Sequence, residues 1–167
     1  IDLKFKNPFN IPRALSSRFV QRSLSLAHEL AMEKNVIGLI NCPINKNLLN
    51  AGKTGVTEYL ASKCGIKNNS EVMLIKNKKL SVSPITTHID IKEVSKRINK
   101  TKIVKKVLTI NKWFKNIYKK NPNIGVLGLN PHNAEFRNKS EEKKIIIPAI
   151  LQLKHMGINV KGPLVSD

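Results

Sequence analysis

The segment Ile124-Gly125-Val126-Leu127-Gly128-Leu129 is apolar throughout and passes directly into Asn130-Pro131-His132. Continuous apolar runs of this length are typical of strands that are buried on both faces, as in parallel sheets. The proline ends such a strand because it has no backbone N–H to donate to a neighbouring strand. The sequence therefore predicts an apolar strand with a histidine just beyond its carboxyl end.

Helical patterns flank this strand on both sides. Apolar residues at 4-3-4-3 spacing predict a helix over about 102–119, with solvated lysines on its other faces. Another helix is expected over about 141–155, where Gly157 stops it. Further strands are expected at 36–42, 71–75, 80–82 and 158–160, and further helices at 14–34, 46–51, 57–63 and 91–98. Strands alternating with helices predict an α/β fold with a mostly parallel sheet, in which the run 36–42 is buried on both faces.

The ends of the sequence indicate an interior piece of a longer protein. The first residue is Ile1 instead of a methionine, and the chain stops at Asp167 without a closing element. No internal repeat and no linker composition interrupts the 167 residues, so no internal domain boundary is predicted. We therefore expect residues 1–167 to be a central portion that is incomplete at both ends.

The net charge of +19 comes from 30 Lys and Arg against 11 Asp and Glu. Such a balance is typical of nucleic-acid-binding proteins. Here, however, there are 25 lysines and only 5 arginines, and Lys, Ile and Asn together make up 64 residues. These amino acids have the most A/T-rich codons, so nucleotide bias explains the basicity, whereas a phosphate-binding surface would use more of the bidentate arginine. We expect no nucleic-acid partner; a basic nucleic-acid-binding domain is the alternative from a different functional class.

Membrane and disulfide-rich classes are not expected. The sequence has no run of eighteen apolar residues, so it predicts no transmembrane helix and no membrane partner. Cys42 and Cys64 lie 22 residues apart without a CxxC pair, which argues against a disulfide framework or a cysteine zinc site. Two reduced thiols are typical of a cytoplasmic protein.

Two of the four histidines occupy positions that suit a binding site. His88 and His132 each follow a strand-like segment, in loops marked by Pro84 and Pro131. Ligands of open α/β sheets bind beyond the carboxyl ends of the strands, and neutral imidazole is a common metal ligand. A shared metal site is therefore a hypothesis, and it requires His88 and His132 to lie close together in the folded chain.

Several ordered segments resemble the 4-hydroxythreonine-4-phosphate dehydrogenase family. The segments and the family motifs they resemble are Asn41–Lys46 for PINK, 51–61 for AG…GHTE-x-LA, 86–94 for TTH-x-x-L-x-x-V, 127–142 for LNPHAGE…EE, and 157–167 for G-x-x-x-x-GPLPAD. Each motif is weakly specific alone. Their common order over most of the chain makes the resemblance specific.

The resemblance implies a homodimeric, NAD-dependent dehydrogenase with an isopropylmalate/isocitrate-dehydrogenase-like fold. Its active site would lie between two α/β lobes and use residues from both subunits. The implied substrate is a phosphorylated small molecule, 4-phosphooxy-L-threonine. Its oxidation and decarboxylation would give 3-amino-2-oxopropyl phosphate for vitamin B6 biosynthesis.

The resemblance also assigns roles to individual residues. His88 and His132 match the family's metal-binding histidines, Asp167 matches an acidic residue near the metal, and Thr57 matches a substrate-binding position. A divalent cation (Zn, Mg or Co) on the substrate hydroxyl would lower its pKa and polarise the forming carbonyl. Hydride would then leave to the nicotinamide of NAD.

The chain departs from the family pattern at two places. Val56 stands where the motif has histidine, and valine cannot donate that hydrogen bond. Asn133-Ala134 replaces the Ala-Gly of the motif. A third metal histidine is expected beyond Asp167, so the 167-residue chain alone is expected to be inactive. Val56 motivates the alternative of a related dehydrogenase that acts on another phosphorylated hydroxy acid.

Overall fold

The structure is a computed structural model that describes residues 1–33, 35–49, 55–66, 71–87 and 89–165. The sequence marks no internal boundary, and the chain forms two compact units, Ile1–Asn68 and Asn69–Asp167. Each unit has its own buried residues and is described by itself.

The first unit is built on helix α1 (Arg13–Ala31) and the shorter helix α2 (Val56–Lys63). A short turn, Lys46–Leu48, lies against α1. The Arg13 guanidinium donates to the Asn47 carbonyl at 2.9 Å, and the Ser17 hydroxyl donates to the Leu48 carbonyl at 2.7 Å. The buried apolar residues of the first unit are Leu24, Leu49 and Ala61.

The second unit begins with a hairpin of two short antiparallel strands, β1 (Ile75–Lys76) and β2 (Ser81–Val82). The Asn77 carboxamide oxygen closes the turn by accepting the N–H groups of Lys79 and Leu80, each at 2.8 Å. Helix α3 (Ile91–Arg97) follows, and then the long helix α4 (Lys100–Tyr118). Asn99 caps α4, because its side chain accepts the Lys102 N–H at 2.8 Å.

A parallel strand pair forms the centre of the second unit. Strand β3 (Ile124–Leu127) pairs with β4 (Val160–Leu164), in register Ile124↔Val160 and Leu127↔Leu164. The chain crosses between them through a π-helical turn (Glu142–Ile146) and helix α5 (Ile147–His155). Helices α4 and α5, the π-helical turn and strand β4 share the main apolar core. Its buried residues are Ile103, Val104, Val107, Ile146, Ala149, Ile150, Leu153 and Val160. The predicted strand–helix–strand order is therefore confirmed in this part of the chain.

One strand of the predicted sheet is wrong. The run 36–42 forms no strand, and Ile37 and Ile40 are 107% and 100% exposed instead of buried. Apolar side chains alone cannot make a strand, because its backbone N–H and C=O groups need a partner strand, and none in the described residues pairs with this run. Within the described ranges, the strands form one parallel pair, β3 with β4, and one antiparallel pair, β1 with β2.

Glu142 is fully buried where the helical crossover begins. Its Oε1 accepts the backbone N–H groups of Leu129 at 2.9 Å and Asn130 at 2.8 Å, and the Asn130 amide donates to both carboxylate oxygens. Burial by itself raises the pKa of Glu142, but the hydrogen bonds from the backbone and from Asn130 outweigh burial, so this pKa lies below its ordinary value. A charged carboxylate therefore ties the residues after β3 to the start of the crossover.

Truncating Leu153 should strongly destabilise the second unit. Leu153 is 0% exposed and Leu151, on the same helix, is 50% exposed. We expect Leu153→Ala in the complete protein to lower the free energy of unfolding by about 2–5 kcal/mol, because it leaves a cavity in the core. Leu151→Ala is the matched control and should cost less than about 1 kcal/mol. Denaturant titrations that show equal losses of unfolding free energy in the two variants would contradict the assigned core.

Replacing Glu142 by Gln should destabilise the protein in a pH-dependent way. The folded-state pKa is lowered, so the carboxylate's contribution is fully present above its ordinary pKa of 4.5 and is lost as pH falls through the folded pKa. We expect Glu142→Gln to cost about 1–3 kcal/mol at neutral pH, and this difference should shrink below about pH 4. Glu141→Gln, which alters a half-buried carboxylate beside the same Asn130, is the control and should cost less than about 1 kcal/mol. The measurement is the free energy of unfolding from denaturation curves at several pH values. A difference between Glu142→Gln and the unmodified protein that stays constant down to pH 3 would refute the role of the charge.

Candidate functional site

The structure describes three of the five residues singled out by sequence. His132 lies in the second unit, beyond β3, and Val56 and Thr57 open helix α2 in the first unit. His88 and Asp167 lie outside the described residues. The proximity of His88 and His132 therefore stays a prediction.

His132 is exposed and begins a turn with an unusual backbone. Residues 132–136, here called the left-handed turn, all have positive φ, between +47° and +55°. None of the five is glycine, and a left-handed backbone costs an ordinary residue about 1–2 kcal/mol. Strain of this size persists only where surrounding structure enforces it, and such places are often functional.

Hydrogen bonds on both sides enforce the left-handed turn. Before it, Glu142 holds the N–H groups of Leu129 and Asn130. Within it, the Asn133 amide donates to the Pro163 carbonyl at 3.2 Å. After it, the Arg137 backbone N–H and Nε both donate to the Ala134 carbonyl, at 3.0 and 3.2 Å. These bonds fix the backbone from which the His132 imidazole projects.

One of the two departures from the family pattern, the Asn133-Ala134 pair, lies inside this turn. Asn133 and Ala134 are 3% and 4% exposed, with φ of +55° and +50°. Asparagine tolerates this region better than most residues, whereas alanine does not, and glycine adopts it without strain. The Asn-Ala pair therefore keeps a left-handed path that an Ala-Gly pair would follow more easily.

The ends of β3 and β4 bring the His132 turn and the approach to Asp167 to the same edge. Leu127 and Leu164 are paired, and the Gly128 N–H donates to the Leu164 carbonyl at 2.9 Å. His132 follows β3 by five residues and Asp167 follows β4 by three. An imidazole is a donor that suits a divalent cation, and of the residues singled out for a metal only His132 lies in the described part of this edge. Among the described residues alone, no cluster of three His, Cys, Asp or Glu side chains could hold one.

Val56 and Thr57 occupy the first turn of α2. Val56 is half-buried and Thr57 is exposed, and the same first turn carries the Glu58 carboxylate. Helix N-termini favour anionic groups such as phosphate. Val56 adds no polar atom here, whereas the family motif has an imidazole at this position.

A cavity of 370 Å³ lies in the first unit, beside the segment that resembles PINK. It is lined by Ile11, Arg13, Ser16, Asn45, Asn47 and Leu48. Sequence reasoning missed Arg13, because a single arginine before a helix carries no motif. The Arg13 guanidinium donates to the Asn47 carbonyl and the Asn45 side chain accepts the Asn47 N–H, so these polar groups sit within a lining that is mainly apolar.

Lys106 is a second residue that sequence reasoning missed. It lies on α4 and is 6% exposed, although the lysines of this helix were expected to be solvated. Burial lowers the pKa of Lys106, the Glu71 carboxylate opposes that effect, and Lys102 adds to it. The helical periodicity shows which face is apolar but gives no sign that one lysine beside that face is covered.

The described helices give no sign of a membrane span. None combines the length and the apolar content that crossing a bilayer requires.

Comparisons with known proteins point to one family. The family model of "Pyridoxal phosphate biosynthetic protein PdxA" matches residues 1–167. A 4-hydroxythreonine-4-phosphate dehydrogenase from Aquifex aeolicus is 39% identical over 172 aligned positions, covering 100% of this chain and 53% of that protein. A protein from Oceanobacillus iheyensis, provisionally named D-threonate 4-phosphate dehydrogenase, is 38% identical over 151 positions, covering 86% of this chain and 44% of that protein.

A solved structure agrees with these sequence matches. The crystal structure of 4-hydroxythreonine-4-phosphate dehydrogenase from Klebsiella pneumoniae superposes with a TM-score of 0.81 at 26% identity, covering 99% of this chain and 53% of that one. The chain thus spans about half the length of the relatives it matches. The match over every residue and the shared α/β fold show that this chain belongs to the pyridoxal phosphate biosynthetic protein PdxA family.

Proposed function

We propose that this chain is the central part of an NAD-dependent, divalent-metal-assisted 4-hydroxythreonine-4-phosphate dehydrogenase. The complete enzyme would adopt the isopropylmalate/isocitrate-dehydrogenase-like fold. It would oxidise and decarboxylate 4-phosphooxy-L-threonine to 3-amino-2-oxopropyl phosphate in vitamin B6 biosynthesis. The observation that carries this proposal is the position of His132, at the start of a constrained turn just beyond a parallel strand, in a chain of this family.

The residues proposed to hold the cation are His132, His88 and Asp167. Two imidazoles and a carboxylate favour a transition metal such as Zn²⁺ or Co²⁺ over Mg²⁺. Such a cation, when bound, would stabilise negative charge on the substrate oxygen, and NAD would serve as the hydride acceptor. The chain's own contribution is positional, because the Glu142 carboxylate and the left-handed turn hold the backbone of His132 in place.

The proposed substrate contact in the first unit is Thr57. Its exposed hydroxyl and the N–H groups at the start of α2 offer hydrogen-bond donors to an anionic part of a phosphorylated substrate. Arg13, which lines the cavity of the same unit, is a further cation for such a molecule.

The assembly and location follow from the same proposal. The enzyme would be a homodimer with its active site at the subunit interface, as the family resemblance implies. A cytoplasmic location suits the two cysteines, since Cys42 and Cys64 are both free and exposed. The basic charge is assigned to codon composition, with no nucleic-acid or membrane partner.

A second candidate function keeps the fold and the metal but changes the substrate. Val56 removes a hydrogen-bond donor from the first turn of α2, and a relative of 38% identity is named for D-threonate 4-phosphate. Another phosphorylated hydroxy acid would then replace 4-phosphooxy-L-threonine. Assays with both compounds decide between the two candidates.

Removing the His132 imidazole should abolish most of the activity of the complete enzyme. We expect His132→Ala to reduce kcat/KM by roughly 10²–10³-fold, because it removes a proposed ligand of the cation that stabilises developing charge. His155→Ala, which alters an exposed histidine at the end of α5, should leave activity within about 3-fold. NADH absorbance is recorded while Zn²⁺ or Co²⁺ is titrated back after chelation. Equal effects of the two substitutions, or full activity in chelator, would show that the metal site is assigned wrongly.

Restoring the motif histidine at position 56 should separate the two substrate candidates. If 4-phosphooxy-L-threonine is the substrate, Val56→His should keep kcat and leave KM unchanged or lower it, because the new imidazole can donate to the substrate. Val56→Leu, which adds bulk without a donor, is the control. A loss of activity toward 4-phosphooxy-L-threonine, together with preferred turnover of D-threonate 4-phosphate by the unmodified enzyme, would favour the second candidate.

A further inference from the structure

Asn133 makes a contact that joins the two ends of the parallel strand pair. It lies in the left-handed turn, directly after His132, and is 3% exposed. Its Nδ2 donates to the carbonyl of Pro163, in strand β4, at 3.2 Å. The same strand leads, within four residues of Pro163, to Asp167.

We propose that Asn133 is a positioning residue for the metal site, a proposal that rests on the proposed function. Its side chain ties the turn that presents His132 to the strand that leads to Asp167. The tie holds the backbone of one proposed ligand in a fixed relation to the end of β4. Asn133 does not itself contact the cation.

The orientation of the Asn133 side chain follows from its neighbours. A carbonyl oxygen can only accept, so Pro163 selects the amide nitrogen and turns Oδ1 the other way. Oδ1 then points toward Gly128, where a Cβ would collide with it. Glycine at 128 therefore leaves the space that this arrangement requires.

The energetics argue against a purely stabilising role. Oδ1 is buried and has no hydrogen-bond partner in the described part of the chain. A buried acceptor without a donor opposes folding, and a left-handed backbone at a residue other than glycine opposes it further. A site that retains both penalties at once is better explained by the geometry it enforces than by its contribution to stability.

The local backbone explains why a tie is needed. All five residues of the left-handed turn have unfavourable φ, and Ala134 gains nothing from its own side chain. Without the Asn133–Pro163 hydrogen bond, the turn can relax toward ordinary φ values, and the His132 backbone would move with it. A metal site tolerates little displacement of its ligands, so loss of the tie should appear first in metal affinity.

The test uses Co²⁺ binding to the complete enzyme, followed by its visible absorption, with thermal unfolding measured in parallel. Asn133→Gly removes the tie and at the same time relieves the positive φ, so this variant should fold. We expect its Co²⁺ affinity to fall by about 10–100-fold, with an altered absorption band and an unfolding midpoint close to that of the unmodified enzyme. Asn133→Ala should show the same loss of affinity with a lower midpoint.

Ala134→Gly is the matched control. It introduces glycine at the adjacent buried position of the same turn but leaves the Asn133 side chain in place. Its Co²⁺ affinity should stay within about 3-fold of the unmodified enzyme. Wild-type Co²⁺ affinity in Asn133→Gly would overturn the proposal, because the metal site would then keep its geometry without the Asn133 side chain.

His132→Ala distinguishes failure of this inference from failure of the proposed function. If His132→Ala loses Co²⁺ binding while Asn133→Gly retains it, only the positioning role is refuted. If His132→Ala binds Co²⁺ as the unmodified enzyme does, the assigned metal site and the positioning role both fail. Loss of affinity in both variants, with Ala134→Gly unaffected, supports the proposal.

Discussion

A buried carboxylate at the end of strand β3 organises the second unit. Glu142 lies out of contact with solvent, yet its oxygens accept two backbone N–H groups and the Asn130 amide. A buried charge is tolerated only when it is fully hydrogen-bonded, so the segment after β3 has little freedom to move away. The same residue opens the crossover that packs α5 on α4 and brings β4 beside β3. Strand pairing, helix packing and the path toward His132 thus share one anchor.

The anchor allows strain to be kept in the left-handed turn. Five consecutive residues with positive φ would unwind in a free peptide, since each is unfavourable for an ordinary side chain. Here Glu142 fixes the chain before the turn, Arg137 closes it, and Asn133 links it to β4. The core residues of α5 and β4 supply the stability that offsets this strain.

The sequence predicts those elements whose signal is local. Helix α4 shows its apolar periodicity, β3 its apolar run and α5 its stop at Gly157, and all three form as expected. The run 36–42 has the same local signal as β3 but no partner strand in the described residues, so composition alone gave the wrong result. The left-handed turn was not predictable, because Asn133-Ala134 lacks the glycine that usually marks positive φ. The burial of Lys106 and Glu142 also depends on tertiary packing, which no short pattern reports.

The proposed metal ligand, His132, requires more precise placement than the proposed anion-binding residues, Thr57 and Arg13. The two units that carry them differ accordingly in the size of their buried cores. A cation needs its ligands placed within a fraction of an ångström, and His132 lies in the unit that holds the main apolar core, between residues that Glu142 and Pro163 hold by hydrogen bonds. An anionic group can be held by helix N–H groups, a hydroxyl and a guanidinium over a broader range of positions. Thr57 and Arg13 fit that second task, because they lie in a unit whose described core is smaller. Under the proposed function, we therefore expect a change of substrate to arise at residues such as Val56, while the His132 turn keeps the geometry that the proposed metal site requires.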